Sequence, residues 1–369
     1  MPTAVLRRTV SQLFMVGIPG PTLDPATRAF LTDHPVGGII LFRRNVKSGP
    51  QLRRLVAALH ATGAGVSPLV GIDHEGGRVH RLRRPFTHFP PALTVGRVGT
   101  PRTVEAVGRA MGRELAAVGI DLDFAPVLDV WSNPRNQVIG DRAFATEPAR
   151  AARMALALAR GLERGGVLPC GKHFPGHGDT VGDSHFVLPR VRRTRRALAA
   201  LELVPFARAI GAGLPALMTA HVLYPTLDPR RPATLSPRIA RDLLRGRLGF
   251  RGVLFSDDLE MRAVAGRQQP GEAAVASLRA GCDMLLVCQS LAVARAAIAG
   301  VEAAVGARRL DPLELTASLA RIQGLRRRLP RPRRTAPLPR LSWPAHARLA
   351  RRLATAADQG VNTTLRQPS

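Results

Sequence analysis

The chain has 369 residues, of which 45% are hydrophobic and only 4% aromatic, so it can build a full core, mainly from aliphatic side chains. Its formal net charge is +28, and all of its 54 basic residues except Lys47 and Lys172 are arginine. Because these arginines are spread along the chain rather than gathered in one stripe, the charge does not predict specific binding of nucleic acid. No uncharged apolar stretch reaches the roughly 18 residues of a membrane span, and arginines interrupt the N-terminal segment where a signal peptide would be apolar, which predicts a cytoplasmic protein without a membrane segment.

Eight short apolar runs follow one another along the chain. They are near-continuous rather than alternating, which is typical of parallel strands buried on both faces. The runs are 13–18, 36–42, 68–73, 121–130, 167–174, 215–222, 252–257 and 282–288. Because longer helical patterns separate them, the sequence predicts an α/β fold, a single (β/α)8 barrel of the TIM type. A doubly wound open sheet is the alternative, but no glycine-rich dinucleotide turn supports it.

Helices are predicted between the strands, and two of them carry start signals. Thr146 is the candidate N-cap of a helix whose apolar face holds Met154, Leu158 and Leu162. Ser236, followed by Pro237, is the candidate cap of another. Further helical patterns occupy 50–62, 101–118, 194–212, 271–280 and 290–305.

The character of the chain changes after about residue 325. The segment 326–340 is rich in arginine and proline, as in a wrapping strap or a tail, and 343–358 fits one last helix. We therefore expect a catalytic barrel over 10–325 and a basic C-terminal extension, 326–369, with a terminal helix.

Ionisable residues stand at the ends of several predicted strands, which is where barrel enzymes place their catalytic groups. Two adjacent carboxylates, Asp257 and Asp258, end the seventh run. Alternation should aim only one of them into the barrel mouth. A metal-ligand set or a helix N-cap are the other interpretations of such a pair. The groups at the other strand ends are Asp73, Glu75, Asp129, Lys172, His173 and His221.

The loop after the fifth run contains Asp183 and His185. A carboxylate and an imidazole two residues apart can hydrogen-bond, which would make His185 a general acid/base. The spacing equally allows Asp183 to cap a turn and His185 to be exposed. The glycines and proline of this loop exclude a regular helix, so His173 and His177 are not a metal pair one helical turn apart.

Lys172 precedes this loop in a chain that otherwise uses arginine almost everywhere. A lysine kept here indicates a need for a compact ammonium group, which suits hydrogen bonds to sugar hydroxyls. A single retained lysine is also compatible with chance.

Five motifs carry a family resemblance. They are DHEGGRV (73–79), FAPVLDV (124–130), KHFPGHG (172–178), DSH (183–185) and FSDDLEM (255–261). From about residue 10 to 325 the chain resembles glycoside hydrolase family 3, and within it the single-domain bacterial β-N-acetylglucosaminidases of peptidoglycan recycling. It departs from the usual pattern at His74, which replaces a glutamine, and in the loop 141–144.

The resemblance implies roles for particular residues. Asp257 corresponds to the nucleophile and His185 to the acid/base, oriented by Asp183. The positions that hold the sugar in this family are matched by Asp73, Arg81, Arg142, Lys172 and His173. It implies no cofactor and no metal, a substrate among GlcNAc-containing muropeptides, and a monomeric enzyme.

The implied chemistry is a retaining hydrolysis, with a nucleophile and an acid/base on opposite sides of the scissile bond. Because a histidine repels an anionic acceptor less than a carboxylate would, an N-acetylglucosaminide phosphorylase is one alternative. A metal-dependent barrel hydrolase using His173, His177, His185 and His221 is another, although the usual early pair of histidines is absent. A non-catalytic cell-wall-binding protein would leave Asp257 without a purpose.

Overall fold

The protein forms a closed barrel of eight parallel strands. The computed structural model describes residues 3–63, 66–82, 84–181, 188–266, 268–329 and 343–364. The strands are β1 (Phe14–Gly17), β2 (Gly38–Leu41), β3 (Leu69–Ile72), β4 (Leu122–Asp123), β5 (Leu168–Phe174), β6 (Ala216–Thr219), β7 (Val253–Asp258) and β8 (Met284–Val287). Each overlaps one of the eight predicted runs, so the predicted (β/α)8 barrel is confirmed.

The barrel closes because β1 pairs with both β2 and β8. Val16 is opposite Ile39 on one side and Val287 on the other. Inside, Phe124 packs edge-on against Phe255 with 5.3 Å between the ring centroids. Most of the other core side chains are Leu, Ile, Val and Ala, as the composition predicts.

Helices surround the barrel. They are α1 (Thr3–Ser11), α2 (Pro25–Asp33), α3 (Gly49–His60), α4 (Ala92–Val98), α5 (Pro101–Ala117), α6 (Pro148–Gly165), α7 (Arg195–Ala200), α8 (Leu203–Gly211), a π-helix (Arg238–Arg247), α9 (Arg262–Ala265), α10 (Pro270–Ala280), α11 (Leu291–Gly306), α12 (Pro312–Arg327) and α13 (Pro344–Thr364). Short 3-10 turns cover Arg43–Asn45, Gly140–Arg142 and Ala233–Leu235.

The predicted start of α6 is wrong by one residue. Glu147, not Thr146, is the N-cap, and its carboxylate accepts hydrogen bonds from the backbone N–H groups of Ala149 at 2.7 Å and Arg150 at 2.6 Å. Pro148 occupies the first helical position, which places the cap on the residue before it.

Two other helix predictions are also corrected. The Ser236 side chain does not cap the π-helix, because its hydroxyl donates to Asp228 Oδ2 at 2.7 Å instead. The predicted helix over 194–212 is two helices, α7 and α8, with a break at Leu201 and Glu202. The break turns Glu202 into the protein, where it is fully buried.

Helices α5 and α6 pack with their backbones in close contact. A Cβ atom added to Gly161 would lie 2.8 Å from the Cα of Gly108 and 2.3 Å from the carbonyl oxygen of Glu105. Only glycine fits at this crossing, because even an alanine methyl would overlap the neighbouring backbone.

The C-terminal helix α13 packs on the barrel. Leu353 and Ala350 are buried, and His346 Nδ1 lies 2.7 Å from Glu114 Oε1 of α5. The predicted terminal helix is confirmed and is longer than expected at its C-terminal end. None of the described helices has the length and apolar composition needed to cross a bilayer.

Candidate active site

A cavity of about 250 Å³ opens where the carboxyl ends of β3, β5, β6, β7 and β8 meet. Its acidic lining groups are Asp73, Glu75, Asp257 and Asp258, and its basic ones are Arg81, Arg142 and Lys172, with His173 and His177 beside them. Its apolar lining comes from Ile40, Phe42, Met218, Met261 and Leu286. A small cavity with apolar walls and a few convergent polar groups is the usual form of a site for a small ligand.

A network of charges joins β3, β5 and the loop after β4. Lys172 Nζ lies 2.7 Å from Asp73 Oδ1 and 2.6 Å from Glu75 Oε1. Arg142 donates two hydrogen bonds to Glu75, of 2.8 and 2.7 Å. Arg81 Nη2 lies 3.7 Å from Asp73 Oδ2. The structure therefore brings together four of the predicted sugar-binding residues and adds Glu75 between them.

Opposite charges hold Glu75 and Lys172 in their charged forms. Burial alone would raise the pKa of Glu75, but the charges of Arg142 and Lys172 hold it well below its ordinary value. Burial alone would lower the pKa of Lys172, but Asp73 and Glu75 raise it above its ordinary value. Because a buried ion requires an opposite charge, the carboxylates of Asp73 and Glu75 fix where the Lys172 ammonium lies. A compact ammonium between two carboxylates accounts for a lysine in this arginine-rich chain.

His173, the fifth predicted sugar-binding residue, is held by Asp129 of the loop after β4. Its Nδ1 lies 2.7 Å from Asp129 Oδ2. Burial alone would raise the pKa of Asp129, but His173 lowers it, so the carboxylate is charged at neutral pH and accepts from Nδ1–H. Asp129 Oδ1 also accepts from the backbone N–H of His177 at 2.7 Å. The Asp129 carboxylate thus sets the tautomer of His173 and holds the backbone of the following loop at His177.

Lys172 and His173 both line the cavity although they are adjacent in a strand. Regular alternation would point them to opposite faces. The register between β5 and β6 shifts between Gly171 and Phe174, and this irregularity is where the alternation is broken.

Asp257 and Asp258 at the end of β7 both border the cavity, although alternation predicts that only one of them points into the barrel mouth. The register between β7 and β8 shifts between Phe255 and Asp258, which breaks the alternation here as well. The two carboxylates accept hydrogen bonds from different backbone groups. Asp258 Oδ1 accepts from the backbone N–H groups of Glu260 and Cys288, both at 3.1 Å. Asp257 Oδ1 accepts from the backbone N–H of Asp258 at 2.8 Å.

Replacing Asp258 by asparagine is expected to stabilise the protein above pH 7. Burial, with Glu260 and Asp257 nearby, raises the pKa of Asp258 to about 7. The folded state therefore keeps this proton to higher pH than the unfolded state, so stability falls as the pH rises from about 4 to 7. Asparagine keeps the acceptor oxygen and never ionises. A single pKa unit corresponds to about 1.4 kcal/mol, and we expect at least that gain at pH 8 and almost none at pH 4, measured by urea unfolding. A gain that is equal at both pH values would contradict this account.

The predicted acid/base pair, Asp183 and His185, lies outside the described residues, so it stays a prediction. His221 is used structurally: its Nδ1 lies 2.8 Å from Thr234 Oγ1 and its Nε2 lies 2.8 Å from the carbonyl oxygen of Asp258. No group of three or more His, Cys, Asp or Glu side chains is arranged to hold a metal ion within the described part of the chain.

Glu75 and His177 line the cavity but are not among the predicted catalytic or sugar-binding residues. Glu75 lies within the DHEGGRV motif, two residues after Asp73. The signal for it would have been the burial of Lys172, because a buried ammonium needs carboxylates around it. His177 lines the cavity, and burial, with His173 nearby, lowers its pKa to about 4. It is therefore a neutral hydrogen-bonding group at physiological pH.

Comparisons with known proteins show the family to which the chain belongs. The model of the glycosyl hydrolase family 3 N-terminal domain matches residues 5–325. A β-hexosaminidase of Chromobacterium violaceum is 44% identical over 325 residues, covering 86% of this chain and 90% of the relative.

Two solved structures are similar along most of the chain. NagZ from Neisseria gonorrhoeae, in complex with N-trifluoroacetyl-D-glucosamine, superposes with a TM-score of 0.77 at 35% identity, covering 94% of this chain and 98% of that one. A glycoside hydrolase family 3 β-N-acetylglucosaminidase from Paenibacillus sp. has a TM-score of 0.91 at 37% identity, covering 95% of this chain and 68% of that one. The resemblance inferred from the motifs is thereby confirmed: the chain belongs to glycosyl hydrolase family 3, with the bacterial β-hexosaminidases of that family.

Proposed function

We propose that this enzyme is a retaining β-N-acetylhexosaminidase that releases terminal β-linked N-acetylglucosamine through a covalent intermediate on Asp257. The observation that carries the proposal is the placement of Asp257. It ends β7, and β7 is four strands away from β3 in a closed barrel of eight, so Asp257 faces Asp73 across the mouth. A sugar held by the Asp73 side of the cavity would present its ring to Asp257.

The sugar-holding side combines fixed donors and acceptors. The ammonium of Lys172, 2.7 Å from Asp73 Oδ1, holds this carboxylate in place, so that it can accept hydrogen bonds from sugar hydroxyls. Arg142 supplies N–H donors and is held by Glu75, while His173, whose Nδ1–H is held by Asp129, offers its Nε2 as an acceptor for a sugar hydroxyl. Because these groups are oriented before substrate arrives, binding costs little reorganisation. The cavity has room for one sugar ring with apolar contact to its faces.

In the first step the Asp257 carboxylate attacks the anomeric carbon while the bond from that carbon to the leaving oxygen breaks, through an oxocarbenium-like transition state. His185 gives its proton to the leaving oxygen. In the second step His185 takes a proton from water, the water oxygen bonds to the anomeric carbon, and the ester bond to Asp257 breaks. Asp183 orients the imidazole. The support for His185 and Asp183 is the DSH motif, which lies in the same loop as the cavity residue His177.

The natural substrates proposed are small GlcNAc-containing muropeptides, hydrolysed in the cytoplasm by a monomeric enzyme during peptidoglycan recycling. The support is the β-hexosaminidase relatives and the size of the cavity, which fits a terminal sugar better than the interior of a polymer. Residues 10–325 are proposed as the catalytic unit and 326–369 as an extension of it, supported by the range of the family match.

The proposal is tested by the product and its anomeric form. The purified chain is incubated with 4-nitrophenyl β-N-acetylglucosaminide and EDTA, with and without millimolar phosphate, and followed by NMR. We expect free GlcNAc whose first-formed anomer is β, in both buffers. If the α anomer appears first, the covalent intermediate is wrong. If GlcNAc-1-phosphate is the product, the enzyme is a phosphorylase, and activity lost to the chelator would favour a metal-dependent hydrolase.

A further inference from the structure

A glutamate is buried beside the loop that follows β5. Glu202 lies in the break between α7 and α8 and has no exposed surface. A glutamate is rarely fully buried unless a partner holds it, so its surroundings indicate what it does.

The partner of Glu202 is Arg193, which also holds a second carboxylate. Arg193 Nε lies 2.9 Å from Glu202 Oε1, and its Nη2 donates to Asp179 Oδ1 at 2.8 Å. The Ser132 hydroxyl adds a longer contact of 3.4 Å to Glu202 Oε1. Among the described residues no group donates to Glu202 Oε2. One guanidinium therefore links the loop at Asp179 to the buried turn at Glu202.

The aliphatic part of Glu202 also packs directly on the start of the loop. Gly176 has a φ of +131°, and a Cβ atom added to it would lie 2.7 Å from the Cβ of Glu202. The carbonyl of Gly176 accepts a hydrogen bond of 2.5 Å from the Tyr224 hydroxyl. Glu202 thus contacts the loop twice, through packing at Gly176 and through Arg193 at Asp179.

These contacts lie on both sides of His185 in the sequence. Gly176 and Asp179 precede it and Arg193 follows it. We propose that Glu202, Arg193 and Asp179 form a clamp that fixes both flanks of this loop, and that the acid/base action of His185 depends on this clamp. Glu202 is a positioning residue, since it lies outside the cavity lining. This inference rests on the proposed role of His185.

The charge of Glu202 couples the clamp to pH. The charged or titratable groups that face it are Arg193, Asp179 and Tyr224, and burial raises the pKa of Glu202 to about 7 despite the positive charge of Arg193. Above pH 7 the ionised carboxylate pairs with the guanidinium and the clamp is complete. Below pH 7 the carboxyl is neutral and the pairing weakens.

The test compares Glu202→Gln with wild type on two β-N-acetylglucosaminides, one with a 2,4-dinitrophenolate leaving group and one with a methoxide. Dinitrophenolate departs without a proton, whereas methoxide requires the general acid, which contributes 10²- to 10⁴-fold as a rule. We expect kcat/KM at pH 8 to fall by about tenfold on the methyl glycoside and by less than about threefold on the dinitrophenyl glycoside. The ratio of wild-type to variant activity on the methyl glycoside should grow from pH 6 to pH 8.

Glu314→Gln is the matched control, because Glu314 pairs with Arg241 far from the loop. It should leave kcat/KM unchanged on both substrates. Asp179→Asn removes the partly exposed carboxylate that pairs with Arg193. It should also lower kcat/KM more on the methyl than on the dinitrophenyl glycoside, which keeps the test open if Glu202→Gln does not fold. An equal loss on both substrates, or no loss in either variant, would overturn the clamp. His185→Ala separates this from the proposed function: if that variant shows no dependence on the leaving group, the acid/base assignment itself is wrong.

Discussion

Replacing Asp257 by alanine is expected to lower kcat/KM on 4-nitrophenyl β-N-acetylglucosaminide by about 10⁴-fold or more, as is usual when a covalent nucleophile is removed. Without this carboxylate no glycosyl-enzyme can form, and the oxocarbenium-like transition state loses the negative charge beside it. Asp258→Asn is the matched control. Asp258 is adjacent and also borders the cavity, but its Oδ1 accepts from the backbone N–H groups of Glu260 and Cys288. Asparagine keeps this acceptor oxygen, so the loss should be less than about tenfold.

Azide gives this comparison a second readout. In Asp257→Ala, azide can enter the space left by the carboxylate and attack from the same face, which restores turnover and yields the α-glycosyl azide. In His185→Ala, azide would instead attack the glycosyl-enzyme from the opposite face and yield the β-glycosyl azide. A β product from Asp257→Ala, or full activity without azide, would remove Asp257 from the nucleophile's role.

Glu75→Gln is expected to have the largest effect on stability. Glu75 is buried between Arg142 and Lys172, and breaking such a buried ion pair typically costs about 3–5 kcal/mol because the remaining charges lose their partner. Activity should fall as well, since Arg142 and Lys172 are then free to move away from the sugar. Glu314→Gln again serves as the control. It removes the same kind of carboxylate–arginine pair at a half-exposed position, where the cost is below about 1 kcal/mol.

The pH dependence of this effect has a defined sign. The pKa of Glu75 is held below its ordinary value of 4.5 in the folded state, so its contribution is fully present above 4.5 and is lost as the pH falls through the folded pKa. Urea unfolding of wild type and Glu75→Gln should therefore differ most near pH 7 and converge in strong acid. A difference no larger than that of the Glu314→Gln control would show that the network does not carry this energy.

The barrel was predictable because its signal is local. Each strand is a continuous apolar run such as 36–42, and the polar residue that ends it is adjacent in sequence, so Asp73 and Asp257 could be placed at the mouth without coordinates. The start of α6 was missed by one residue because Thr146 and Glu147 can both cap a helix, and only the position of Pro148 decides between them.

The network around Lys172 was only partly predictable, because its members come from three separate segments. Spacing along the chain does not show that Glu75 lies between Lys172 and Arg142. The burial of Glu202 was not predictable either. The run 194–212 has the pattern of one amphipathic helix, and the contact of Glu202 with Gly176 joins segments that are far apart in sequence. Asp183 and His185 remain predictions from their motif.

The most direct test of the central claim is to trap the covalent intermediate. A 5-fluoro-N-acetylglucosaminyl fluoride slows the release of the sugar from the enzyme, so the glycosyl-enzyme should accumulate. We expect mass spectrometry to show one added sugar per chain, located after digestion on the peptide that contains Asp257, and no adduct in Asp257→Ala. An adduct on a different residue, or turnover of the fluoride that inverts the anomeric centre without any adduct, would contradict the account.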